Sequence, residues 1–259
     1  LNDVEGKLVF RGRRVLVEKI RAKSGKGTLF LTGEVDVSRI TAPKLDLHLR
    51  TLGDKPVDVS MSWLPIPQSR LLKRVLSTPS NGQVKVDLFI RGELSRPFIQ
   101  GELVFFNTRF CYPPPREVKR TAGISLKSFL WDITLRTGNN VWYETELVSA
   151  QVEGQLRILT GEKGKIICNG DFTARKGDIL FFDRDFHLKD AHLEIIDNVV
   201  YVEATAETYA YVQPPVQRTD VVTGGARRGP ELDKIVMRIE RERVSAIRPR
   251  FYSTTYPQL

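Results

Sequence analysis

The chain has 259 residues, 41% of them hydrophobic and 27% charged, a balance that excludes a disordered or low-complexity polypeptide. Its net charge of +9 is the excess of 40 Lys and Arg over 31 Asp and Glu, and the basic residues are spread through every region; this reads as the wet faces of strands rather than a nucleic-acid surface, with attraction to anionic membranes left open. No apolar run reaches transmembrane length and nothing at the start reads as a signal peptide, while the first residue is Leu1; the chain is expected to be a piece of a longer protein that carries any anchor elsewhere.

The first element is GKLVFRGRRVLV (6–17), and its spacing raises a question of parity. Leu8 and Phe10 are two apart, as are Val15 and Val17, yet Phe10 and Val15 are five apart, which would split the pairs between the two faces of one strand. A two-residue turn at Gly12 and Arg13 resolves this. It pairs Phe10 with Val15 and Leu8 with Val17, so that all four side chains share one face of a β-hairpin.

RAKSGKGTLF (21–30) follows and imitates a phosphate-binding loop. The imitation fails, because such a loop needs a glycine where Ile20 stands, and Leu29 and Leu31 continue as a strand rather than a helix. Strict alternation then predicts strands at Leu45, Leu47 and Leu49, and at Val57, Val59, Met61 and Trp63. PQSRLLKRVLSTP (67–79) is the one helical signal, a short amphipathic helix over about 67–77 with Pro67 at its start and Pro79 beyond its end. Alternation resumes at Val84, Val86, Leu88 and Ile90.

GELVFFNTRFCY (101–112) repeats the hairpin spacing, with Leu103, Phe105, Phe110 and Tyr112 in the apolar places and Asn107 at the turn. A loop is expected at 112–120, then strands through Val152, Leu156 and Ile158. GDILFFDRDFHL (177–188) is the third copy, with Ile179, Phe181, Phe186 and Leu188 on one face and Asp183 at the turn. A long loop is expected at 213–231, and a last strand at Ile235, Met237 and Ile239. The runs number on the order of fifteen.

Chemistry is sparse. Cys111 and Cys168 have neither metal-ligand nor redox spacing, and TGGARRG (223–229) lacks the flanking strand and helix of a dinucleotide site. His187, His192 and Asp190 read as surface residues rather than metal ligands. There is no GxSxG elbow, and the acids alternate with apolar residues as wet-face residues do. The expectation is a protein that is not an enzyme, with no catalytic residues, metal or cofactor.

The C-terminal part resembles a known family. VSAQVEGQLRI, GDFTARKGDILFFDRDFHLKDAHLEI, YVEATAETYAYV and RFYSTTYPQL follow the order of motifs in the TamB C-terminal domain, within the wider AsmA-like group. Gly177, Phe186, Leu188 and the ending Thr255-Tyr256-Pro257-Gln258-Leu259 occupy that pattern's places, and GELSRPFIQGELVFFNTRF (92–110) resembles its preceding unit. The likeness covers roughly 82–259, with 1–81 as a looser N-terminal β segment carrying the helix; the whole is expected to be a single elongated domain. The resemblance implies an all-β, elongated antiparallel sheet curled into a taco-like half-pipe with an apolar groove. It also implies a place in the periplasm of a diderm bacterium and an inner-membrane anchor in the full-length protein; the scattered basic residues, for their part, lead to the expectation of no nucleic-acid partner.

Its expected partners are phospholipid acyl chains and a BamA-family outer-membrane protein. The expected function is phospholipid transport between the inner and outer membranes. The alternative is a chaperone-like scaffold for assembly of outer-membrane β-barrels, or for secretion. About fifteen strands at ~4.8 Å each would extend on the order of 70 Å. The candidate groove lining is Leu45, Leu47, Leu49, Val84, Val86, Leu88, Ile90, Leu103, Phe105, Val152, Leu156, Ile158, Ile179, Phe181, Phe186 and Leu188. Those residues would line an open trough under the first reading and fill a packed sandwich under the second.

Overall fold

The structure is a computed structural model that describes residues 2–60, 81–112, 129–212 and 230–255. The helix expected over 67–77, the expected strand positions Met61 and Trp63, and most of both expected loops lie outside these residues.

Among the described residues sixteen strands follow one another. They are β1 (Asn2–Arg11), β2 (Arg14–Ser24), β3 (Gly27–Asp36), β4 (Lys44–Thr51), β5 (Val57–Ser60), β6 (Asn81–Glu93), β7 (Phe98–Phe106) and β8 (Thr108–Tyr112). After these come β9 (Leu130–Thr137), β10 (Val141–Thr145), β11 (Val148–Thr160), β12 (Ile166–Phe181), β13 (Arg184–Ile196), β14 (Val199–Val212), β15 (Glu231–Arg243) and β16 (Arg250–Ser253). All belong to one sheet, with β1 at one edge and β16 at the other. The main path runs β1-β2-β3-β4-β6-β7-β9-β11 and then in order to β16, while β5 lies beside the start of β6 and the β8–β10 pair beside the start of β11.

The alternation read from the sequence is what makes these strands. In β9, Trp131, Ile133 and Leu135 are buried, and Asp132, Thr134 and Arg136 alternate with them. The apolar face passes unbroken between neighbours. Leu8 stands opposite Val17, Val17 opposite Gly33, and Gly33 opposite Leu47. Leu47 stands opposite Ile90, Ile90 opposite Ile99, and Ile99 opposite Trp131. Beyond the middle, Leu135 faces Leu156, and Leu188, Ala206, Met237 and Phe251 succeed one another across β13 to β16.

The first expected hairpin has the expected register, with Arg11 opposite Arg14, Phe10 opposite Val15, and Gly12 at φ +59° in the turn. The third is a hairpin whose turn falls one residue earlier, at Phe182 and Asp183, both with left-handed backbone (φ +47° and +58°). Ile179 therefore faces Phe186, and Phe181 faces Arg184. β12 and β13 keep a single register from Gly170–Ile195 to Phe181–Arg184, so the long ladder decides where the chain reverses. The four apolar residues still share a face, because moving a two-residue turn by one position changes each pairing by two.

The second expected hairpin is not one. After Asn107 (φ +48°) the chain does not fold back on β7; β8 runs on beside β10, in parallel, with Thr108 opposite Val141 and Phe110 opposite Tyr143. Asn140 (φ +58°) makes the matching bend between β9 and β10. Asn140 Nδ2 donates to Asn107 Oδ1 at 3.1 Å, and the Asn107 amide donates to the Asn139 carbonyl at 3.0 Å. β7 and β9 are parallel as well, so the sheet, antiparallel elsewhere, carries one parallel seam.

The sheet bends sharply enough for distant strands to meet. One buried cluster joins Leu29 on β3 to Ile195 on β13, and a second gathers Ala150, Phe186, Leu188, Ala206 and Met237. Glycines permit the bending. Gly101 (φ +142°) and Gly177 (φ +147°) press against the neighbouring strand, where an added Cβ would sit 2.0 Å from the Asp87 carbonyl oxygen and 2.1 Å from that of Ser149. β1 and β16 do not pair with each other, so the result is a curled all-β half-pipe rather than a closed barrel.

Candidate functional site

The sheet separates its chemistry between two faces. All sixteen residues expected to line the groove fall on the inner face, by strand register. The ion pairs fall on the other: Arg157 Nε meets Asp132 at 2.9 Å, Arg136 Nε meets Glu102 at 2.8 Å, and Arg91 Nε meets Asp46 at 3.2 Å. Such exposed cross-strand pairs contribute on the order of 0–1 kcal/mol each. They keep the outer face wet, so the inner face carries the hydrophobic stabilisation.

Burial varies along the inner face. Val84, Val86, Leu88, Leu103, Phe105, Leu156, Ile158, Phe186 and Leu188 are buried, with Leu156 1% and Ile158 0% exposed. In the middle of the half-pipe the first seven of these pack against one another and against Ile99, Trp131, Ile133 and Leu135, which belong to the same face and were readable as alternation, while Phe186 and Leu188 belong to the second cluster. Leu45, Leu47, Leu49, Ile90, Val152, Ile179 and Phe181 are only half-buried. At the β1 edge the face is bare, with Leu8 50% and Phe10 75% exposed.

The opposite end carries an aromatic contact between distant strands. Phe251 on β16 lies with its ring 5.2 Å from that of Phe181 and 5.8 Å from that of Phe186. β12 and β16 are four strand steps apart, ~19 Å along a flat sheet, so the contact requires the sheet to roll over on itself.

Beside this contact is a polar group that the sequence did not single out. Asp233 lies on the inner face of β15, two residues before Ile235, and is 4% exposed. The Ser253 hydroxyl donates to Oδ2; Thr255 Oγ1, Thr254 Oγ1 and the Lys234 amide donate to Oδ1 at 2.7, 3.1 and 2.7 Å. These donors, Ser253 first, hold the carboxyl at a pKa of about 2, against the opposing effect of burial. A carboxylate with this many partners is a fastening rather than an acid–base catalyst. Only its spacing from Ile235 and the run Ser253-Thr254-Thr255 could have hinted at it.

The histidines sit on the outer face in separate cross-strand pairs, His187 Nδ1 with Asp178 at 2.6 Å and His192 Nε2 with Asp171 at 2.5 Å. Among the described residues no three His, Cys, Asp or Glu side chains converge as a metal site would require, and no helix is long and apolar enough to cross a membrane. Lys189 and Lys234 share Glu207 and draw its carboxyl below the usual range. The arrangement offers an extended apolar surface, exposed at one edge, packed in the middle and bridged by an aromatic contact at the other end.

Comparison with known proteins bears on this geometry. The family model for the TamB C-terminal domain matches residues 18–239, from within β2 to within β15. No curated protein matches the chain.

Proposed function

Because the chain belongs to the TamB C-terminal domain family, and so to a cell-envelope protein of the translocation and assembly module, we propose that its half-pipe is a non-catalytic carrier of phospholipid acyl chains between the inner and outer membranes. The supporting observation is the single apolar face that passes from β1 to β16 by register, open at the β1 edge where Leu8 and Phe10 stand in solvent. Each methylene moved from water onto such a face contributes ~0.8 kcal/mol, while head groups remain at the wet rim. Under this reading the full-length protein sits in the periplasm of a diderm bacterium, anchored at the inner membrane.

Lipid extraction and mass spectrometry of the purified chain test the reading, together with photo-crosslinkers at Phe10, Leu47 and Leu156. The expectation is co-purified phospholipid, with crosslinks to lipid at Phe10 and Leu47 and to protein at Leu156. A chain that is empty in extraction and gives no lipid crosslink at any position would overturn it.

The packed middle favours a second reading. Val84, Phe105, Leu156 and Ile158 leave almost no exposed surface, as in a folded core rather than a channel. A scaffold for outer-membrane β-barrel assembly, working with a BamA-family partner, would need only the sheet and its edges. Crosslinks from the β1 edge to protein instead of lipid would select this role.

A further inference from the structure

We propose that β16 is a strap that closes one end of the apolar half-pipe, with Phe251 as its stopper and the Asp233 carboxylate as the clasp that fastens it. The proposal deepens the acyl-chain reading by assigning the place where passage is controlled.

With β5, β16 is one of the two shortest strands among the described residues. It has four residues, lies at the edge, and pairs only with Ile235–Arg238 of the thirteen-residue β15. A short edge strand opens more readily than the long ladders behind it. The Ile235–Ser253 pairing sets Ser253 on the inner face, two residues from Asp233 along the sheet, and the chain beyond it brings Thr254 and Thr255 to the same carboxylate. Three consecutive hydroxyl side chains thus converge on one buried acid from the neighbouring strand. Thr254 adds a backbone bond, its amide donating to the Lys234 carbonyl at 3.0 Å.

The clasp and the stopper are mechanically linked because they share a strand. Phe251 stands opposite Met237, and its ring reaches those of Phe181 and Phe186 on strands four and three steps away. If β16 detaches, Phe251 leaves with it, and Met237, Phe186 and Phe181 become the floor of an open mouth continuous with the inner face. If the hydroxyls re-engage Asp233, the mouth shuts. An acyl chain lying in the half-pipe would then leave by this end only while the strap is off.

Two lipid-free measurements decide the matter in the purified chain. Amide hydrogen exchange of Arg250–Ser253 is compared between the native chain and Asp233→Ala, with β13 and β14 as internal reference. Separately, maleimide labelling of Met237→Cys is followed with and without Asp233→Ala, Cys111 and Cys168 being replaced by alanine. The expected result is exchange and labelling faster by about tenfold or more without the carboxylate, β13 and β14 unchanged. Thr255→Ala, which removes one hydroxyl from an exposed residue, gives a smaller acceleration in the same direction even if Asp233→Ala fails to fold. Unchanged exchange overturns the clasp. Faster exchange with unchanged labelling overturns the stopper. Binding of a fluorescent fatty acid is read in parallel; faster exchange and labelling in a chain that binds none leaves the strap standing and removes the acyl-chain reading.

Discussion

The rings of Phe181 and Phe251 lie 5.2 Å apart although their strands are four steps apart in the sheet. The contact joins the first and last strands of the rolled end, so it reports the curl itself rather than any local pairing. Phe251→Ala is expected to lower stability by about 2 kcal/mol, less than for a fully buried phenylalanine because the residue is 37% exposed. Urea denaturation measures the loss. Near-ultraviolet circular dichroism of the aromatic rings is expected to change while the far-ultraviolet strand signal does not. A variant as stable as the native chain would show that the rolled end does not depend on this contact.

Asp233 gives the stability a distinct dependence on acid. Its carboxyl titrates at about 2 in the folded chain, against ~3.9 for an unfolded aspartate, so the folded state favours the charged form. A depressed pKa contributes stability that is present in full above the unfolded value and disappears as pH falls through the folded one. The stabilisation from this residue is therefore lost between about pH 4 and pH 2. Asp233→Asn starts weaker at pH 6 and approaches the native chain near pH 2, as read by urea midpoints across that range. Glu207, also lowered, titrates in both proteins, so the difference between them isolates Asp233.

The inner face was legible in the sequence because alternation survives small errors of register. Ile179, Phe181, Phe186 and Leu188 share a face with the turn at Phe182–Asp183 as they would with the turn one residue later, since the pairing changes by two. Bulges are harder to read. In β12 the inward residues are Phe172 and Ala174 and then Gly177 and Ile179, the parity switching at the exposed pair Arg175–Lys176. The β7–β9 pairing was invisible because its partners are separated by the rest of the chain from Asn107 to Phe129, and no local signal prefers it to the hairpin that Asn107 suggested. The clasp at Asp233 joins residues about twenty positions apart across a connection with no fixed spacing rule.

Gly101 is expected to resist substitution. Its φ of +142° is unfavourable for any side chain, and a Cβ there would meet the Asp87 carbonyl at 2.0 Å, an oxygen of the adjacent backbone that has no room to retreat. Gly101→Ala is expected to lower stability by roughly 1–3 kcal/mol from the backbone conformation alone, with the collision adding to this. Chemical denaturation and the yield of soluble protein check it. A fully stable Gly101→Ala chain would mean that β6 and β7 can separate without disturbing the curl.

A charge distinguishes the packed middle from the bare edge. Leu156 is 1% exposed, opposite Leu135 on one side and Gly170 on the other, so Leu156→Asp buries a carboxylate with no partner. That costs on the order of 4 kcal/mol or more, comparable with the whole stability of a marginal domain, and the variant is expected to unfold or aggregate. Phe10 stands on the same face at 75% exposure, so Phe10→Asp places its carboxylate in water and leaves the fold intact. The two substitutions therefore separate stability from function. Circular dichroism is expected to show a native Phe10→Asp chain and a disordered Leu156→Asp chain, while lipid capture by a crosslinker at Leu47 is expected to fall in Phe10→Asp. If Phe10→Asp captures lipid as well as the native chain, the β1 edge is not where acyl chains enter. If Leu156→Asp folds normally, water already reaches the middle of the half-pipe and the interior is a channel along its full length.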